Sequence, residues 1–181
     1  MRYIDRWSLM RNTAKENNAE HSLMVAMIAH SLAEIENNLF GGSFDACKIG
    51  MIGAYHEVSE VITGDLPTPI KYFSPEMQTA FKSVEKVARD RIVSTLPGEL
   101  QPTYDGLINA SKEEYRLVKY ADKITAYIKC VEELASGNAE FQKAHDSIKA
   151  ELDGYESPSV DYFMTHFVGA FSHTLDEISE D

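Results

Sequence analysis

Residues 54–69 read AYHEVSEVITGDLPTP. An imidazole at His56 adjoins a carboxylate at Glu57, and a second carboxylate follows at Glu60. Burying one charge in apolar surroundings is costly, and burying three is worse unless something compensates them. A cation would. On a helix, residues three and four apart share a face, which puts Glu60 beside both His56 and Glu57. His56 and Glu57 point about 100° apart, and both can reach an ion lying beside the helix. Two further candidates lie in other segments: His21 follows Glu20 at the start of an apolar stretch, and Asp122 interrupts the apolar run of KYADKITAY. His21, His56, Glu57 and Asp122 together form a donor set of two nitrogens and two carboxylates. It suits borderline or hard divalent ions such as Mn, Co, Fe, Zn or Mg. Such an ion polarises a phosphoryl oxygen and lowers the pKa of a bound water.

Each of these residues also has a bland reading. His21 alone is a helix-start histidine, Asp122 alone pairs with Lys119 or Lys123, and a His-Glu dipeptide alone means little. The four together point to a site. His30 reads as a packing residue; His145, His166 and His173 lack acidic partners at coordinating spacing. Cys47 and Cys130 read as reduced core thiols, and no Cys-x-x-Cys suggests a thiolate zinc site.

The segments that must hold these residues are helical. Residues 20–36 are almost all apolar between charged ends, which predicts a central helix, with Asn18 as its N-cap. Residues 45–60 predict a second helix, capped by Asp45 or Ser43 and ended by the stiff VITGDLPTP turn. Ser74 and Pro75 open a third, running to Pro97. A short helix or loop fills 98–110. Ser111 and Glu114 form a capping box for a long helix over 111–138, with Gly137 as its stop. Helices over 139–152 and 159–178 complete an all-α, bundle-like globule of six or more helices. No strand, repeat or low-complexity segment is evident, and the whole chain, 1–181, reads as one domain.

The 181 residues, 44% hydrophobic and 25% charged, suit one soluble domain with a real core. No apolar run approaches the roughly 18 residues a membrane span needs. The first residues, MRYIDRWSLMRN, do not read as a signal peptide, so the expectation is a cytoplasmic protein. A formal net charge of −12 with no basic stripe argues against a nucleic-acid polymer as partner. One small phosphorylated ligand remains compatible if a metal and a few local cations offset the repulsion.

The ordered set Arg6-Trp7, Glu20-His21-Ser22, HEVSE at 56–60, TGDLPTP at 63–69 and Asp122 resembles the bacterial HD-domain 5′-deoxynucleotidases of the YfbR type. The likeness extends through RWSLMRN, EHSLMVAMIAH, TGDLPTPIKYF, KCVEELASGN, DYFM and LDEIS, and so covers nearly the whole chain. The resemblance implies an HD-domain fold, a homodimer and a divalent metal ion (Co, Mn, Zn or another transition metal). It implies hydrolysis of deoxyribonucleoside 5′-monophosphates to deoxynucleoside and phosphate. By the same resemblance, His21, His56, Glu57 and Asp122 hold the metal, and His21, Glu57 and Asp122 also border the substrate. Glu60 is the acid/base residue, Arg6 orients the phosphate, and Trp7 lines the sugar pocket. Asp65, Leu66, Pro67 and Thr68 form a wall that reads the deoxyribose. The chemistry agrees: the guanidinium fork matches a phosphate, and indole offers a flat apolar face.

One position departs from the family pattern. Where the pair should read His-Asp, this chain has His56-Glu57, whose carboxylate reaches roughly 1.5 Å further from the backbone. Glu57 as a working ligand is the leading reading. The alternatives are a deoxynucleoside triphosphate hydrolase built on the same site, and a nucleotide-binding protein whose turnover is impaired by Glu57.

Overall fold

The computed structural model describes residues 1–179. The last two positions of the expected domain lie outside the described residues. The architecture is all-α with more than six helices, as expected; among the described residues the only β pairing is an isolated antiparallel bridge between Asp5 and Asn17.

Helix α1 (Asn18–Leu39) runs through the centre. Val25, Ile28, Ala29, Leu32 and Ala33 recur at helical spacing and are fully or almost fully buried. Its cap is Asn17 rather than the expected Asn18. The Asn17 side chain accepts from the Ala19 and Glu20 amides, and Glu20 returns the bond to the Asn17 N–H at 3.1 Å. That capping box fixes the register and turns Asn18 inward, where it is fully buried.

Helix α2 (Ala46–Tyr55) is capped by Asp45 and packs tightly on α1. At Gly53 the contact leaves no room for a side chain: a Cβ there would stand 2.9 Å from Ala26 Cα. The expected continuous helix over 45–60 breaks at His56. The His56 ring meets the Gly53 carbonyl at 2.6 Å and competes for the acceptor that the Glu57 amide would use in a continuing helix. The backbone then proceeds by shorter i to i+3 bonds, Val58 N–H to Tyr55 O and Glu60 N–H to Glu57 O, each 3.0 Å. Single turns follow at α3 (Glu60–Thr63) and α4 (Thr68–Lys71).

Helix α5 (Pro75–Ser94) starts at Ser74 and Pro75 as the sequence indicates, and α6 (Gln101–Ile108) fills the ambiguous stretch after it. The long α7 (Lys112–Ala135) carries the Ser111/Glu114 capping box and ends where Gly137 adopts φ 82°. Leu117, Val118, Ala121, Ile124 and Ile128 press its inner face against α1 and α2. A 3-10 turn (Ala139–Phe141) leads into α8 (Gln142–Asp153), which packs on α7. The expected helix over 159–178 is instead α9 (Pro158–His166), a 3-10 turn (Val168–Ser172) and α10 (Leu175–Ser179). The break falls around Gly169, where Ala170 N–H bonds back only three residues, to Phe167 O.

Of the cysteines, Cys130 is buried as expected, but Cys47 is exposed. It sits in the first turn of α2, beside Ala46, which is buried in the core. His30 also departs from the packing reading: its side chain is 45% exposed, with Glu34 one turn away.

Candidate metal and phosphate site

Three segments bring the chemistry together. The start of α1 supplies His21, the turn after α2 supplies His56 and Glu57, and the middle of α7 supplies Asp122. Each offers one ligand atom, and these four atoms lie within 4.8 Å of one another. His21 Nε2 is 3.0 Å from Asp122 Oδ1. His56 Nε2 is 3.4 Å from Glu57 Oε1 and 4.0 Å from Asp122 Oδ1. Ligands about 2.1 Å from a common ion stand roughly 3–4 Å apart, and the three separations of 3.0, 3.4 and 4.0 Å match that spacing.

The protonation of His56 agrees. A carbonyl only accepts, so the contact with Gly53 O makes Nδ1 the donor. Nε2 is then free to offer its lone pair, and it is a buried atom without a hydrogen-bond partner. Burial works against a charged imidazole, but Glu57 and Asp122 outweigh it and raise the His56 pKa, so the position that Nε2 faces favours positive charge, which a proton or a metal ion can supply. Burial likewise opposes ionisation of Asp122 and Glu57; contacts with His21 and His56 respectively, and the charge of Arg6, hold both carboxyls below their ordinary range. Glu57 therefore presents a carboxylate to the cluster despite its extra methylene.

Arg6 faces the same cluster, with Nη1 3.5 Å from Glu57 Oε1 and Nη2 4.0 Å from Asp122 Oδ1. Glu60 is buried beside it and behaves in the opposite way to Glu57. Burial and the neighbouring Glu57 carboxylate push its pKa well above the carboxylate range, so Glu60 holds a proton at neutral pH. Asn18 Nδ2 donates to Glu60 Oε2 at 2.5 Å and fixes the carboxyl.

Arg6, Trp7, Glu57, Glu60 and Asp122 open onto a cavity of about 440 Å3. Asp65, Leu66, Pro67 and Thr68 also line this cavity. Burial raises the Asp65 pKa while Arg6 pulls it back. His21 and His56 lie behind these residues rather than on the cavity wall. A further wall was not anticipated: Lys123 and Ala126 of α7 face Ala144, Ser147 and Ile148 of α8. No motif marks it, because its residues are ordinary members of two amphipathic helices. Asn18, which donates to Glu60, and Glu16, whose carboxylate lies 3.3 Å from Arg6 Nε, were not anticipated beside the cluster. The double asparagine Asn17-Asn18 hides which one caps the helix, and Glu16 sits in a loop without periodicity.

A family model described as 5′-deoxynucleotidase YfbR-like matches residues 1–171. The chain is 49% identical to the 5′-deoxynucleotidase YfbR of Escherichia coli O1:K1, with 100% of this chain and 92% of that protein covered. Among solved structures, an HD-domain phosphohydrolase from Listeria innocua superposes with a TM-score of 0.80 at 25% identity, covering 94% of this chain and 83% of that one. A cyanophage S-2L HD phosphohydrolase, bound to dA and one catalytic Zn2+ ion, shares the fold with a TM-score of 0.64 at 20% identity, covering 96% and 93%.

Proposed function

The chain belongs to the 5′-deoxynucleotidase YfbR-like family, and from that premise we propose that it hydrolyses deoxyribonucleoside 5′-monophosphates to deoxynucleoside and phosphate with the help of one divalent metal ion. The observation that carries the reading is the four-ligand group, with the free Nε2 of His56 inside it and Arg6 beside it at the cavity wall. His21, His56, Glu57 and Asp122 would hold the ion, which when bound would supply Lewis-acid charge neutralisation at the phosphoryl group. Arg6 offers its planar donors to the phosphate oxygens and stabilises the charge that builds on them during transfer. Glu60 carries its proton to the departing 5′ oxygen, aimed by Asn18. Trp7 and the rigid 65–68 wall hold the sugar, and Pro67 and Pro69 keep that wall from yielding to a 2′-hydroxyl.

A monophosphate fits better than a triphosphate. Beyond Arg6, which serves the one phosphate, the cations lining the cavity are each held by an acidic partner: Lys71 by Glu85 at 3.0 Å and Lys123 by Glu151 at 2.9 Å. None is left over for β and γ phosphates. The same reading makes the protein cytoplasmic, consistent with the exposed free thiol of Cys47. It also makes it a homodimer, in which a second copy covers apolar side chains left exposed, such as Leu23, Met27, Val61 and Ile62. Among the described residues no helix is long and apolar enough to cross a membrane.

The test is phosphate release from dAMP, AMP and dATP after chelation and re-addition of Co, Mn, Zn or Mg. Release from dAMP alone, and only with metal, is expected. Equal rates on dAMP and AMP would remove the deoxyribose wall from the reading, and preference for dATP would replace the substrate.

A further inference from the structure

Glu16 forms no part of the cavity wall, yet its carboxylate meets three groups of the site. Oε2 lies 3.3 Å from Arg6 Nε and accepts from Trp7 Nε1 at 3.2 Å. Oε1 lies 3.9 Å from His21 Nδ1, a buried nitrogen without a hydrogen-bond partner. The side chains of Glu16 and Arg6 are only 16% and 14% exposed, so the pair is poorly screened by water. The backbone ties the same two residues, with Arg6 N–H donating to Glu16 O at 2.9 Å next to the Asp5–Asn17 bridge.

The loop so held is strained. Trp7 adopts φ 56°, a left-handed conformation that a bulky side chain rarely takes. Such strain persists only where the surroundings over-determine it, and it concentrates at functional sites. Here Glu16 holds the indole, Asn12 Nδ2 donates to the Trp7 carbonyl at 3.2 Å, and Phe141 packs on the ring at 5.3 Å between centroids.

We propose that Glu16 is a positioning residue for the reaction: one carboxylate aims Arg6 at the substrate phosphate, keeps Trp7 against the sugar, and orients the His21 ring behind Asp122. This rests on the deoxynucleotidase reading. At 3.9 Å the His21 contact is too long for a direct hydrogen bond. Glu16 acts there through its charge, which attracts the Nδ1 edge of the ring and so keeps Nε2 facing the ligand group. The groups it organises serve three different tasks, so its loss moves all of them together.

The experiment compares Glu16→Ala and Glu16→Gln with the parent chain. Neither substitution touches the backbone pairing, and thermal melts verify folding. Steady-state kinetics on dAMP with saturating Co2+ give kcat and KM. Acrylamide quenching of Trp7, the only tryptophan, reports the loop directly. Glu16→Ala is expected to raise KM at least fivefold and to increase quenching. Glu16→Gln keeps an acceptor for the indole, so its quenching stays near the parent value while KM still rises. On an Arg6→Ala background, Glu16→Ala should raise KM by a smaller factor than in the parent chain, because one of the three groups it positions is gone. A purely structural Glu16 would lower the melting temperature and leave KM and quenching unchanged; that result, or effects that multiply independently of Arg6→Ala, overturns the proposal. Should the parent chain release no phosphate from dAMP, the function fails separately, and the quenching comparison still decides whether Glu16 holds Trp7.

Discussion

At His56 the two ring nitrogens have different tasks, and the neighbouring carboxylates divide in the same way. Nδ1 donates to Gly53 O, which leaves Nε2 for a cation. Glu57 is held ionised by His56 and Arg6, whereas Glu60 is held protonated by burial and by Glu57 itself. Two acids pushed apart in this manner suit the proposed division into a ligand and a proton donor from one turn of chain. Removing the proton donor should slow chemistry more than binding: Glu60→Gln is expected to lower kcat on the order of 100-fold with KM nearly unchanged, read by single-turnover phosphate release from dAMP. Glu57→Ala should lose cobalt affinity at least tenfold by calorimetric titration, while Glu57→Asp, which keeps a carboxylate, retains the metal. Undiminished metal binding in Glu57→Ala would remove Glu57 from the ligand set. The four residues of the candidate metal group could be singled out in the sequence because carboxylates and imidazoles are conspicuous in apolar helices, and the structure brings them within 4.8 Å of one another. Glu16 and Asn18 could not, since their roles come from a loop folding back on α1, which no spacing rule encodes.

Between elements, what matters is how closely α1 and α2 approach and how the 1–17 loop is fastened. Gly53→Ala would drive a methyl into the α1 backbone at Ala26 and displace the carbonyl that orients His56. A loss of about 1–3 kcal/mol in unfolding free energy is expected, together with weakened metal binding. The loop is fastened to α7 by Glu133, whose buried carboxylate accepts from Thr13 Oγ1 at 2.6 Å, Asn138 Nδ2 at 2.8 Å and Lys129 Nζ at 2.5 Å. Burial opposes its ionisation, but these donors hold its pKa well below the carboxylate range. A depressed folded pKa means that the stabilisation is present above the unfolded value, about 4.3, and is lost as pH falls through the folded value. Glu133→Gln should therefore melt below the parent chain at pH 7, by about 1–3 kcal/mol, and the gap should narrow as both are taken below pH 4. The helices themselves were legible from capping residues and periodicity. The interruption at His56 was not, because the sequence pattern remains helical while a side chain takes over a backbone acceptor.

The whole molecule is a helical core of α1, α2 and α7 with its chemistry at one side, and that much follows from the placement of apolar residues. The α8 wall was illegible, because which face of a short amphipathic helix meets a cavity depends on packing rather than on its own pattern. Light scattering at micromolar concentration should give about twice the chain mass of 20.3 kDa, and charged substitutions at Leu23 and Met27 should test whether that apolar surface is the one covered. The most direct measurement is a titration of Co2+ into chelator-stripped protein, with the absorption of the bound ion and phosphate release from dAMP recorded on the same samples. Both are expected to rise together and saturate at one ion per chain, and both to vanish in His56→Ala. Phosphate release from the stripped protein, or activity in His56→Ala equal to that of the parent chain, would contradict a metal-dependent deoxynucleotidase built on these four ligands.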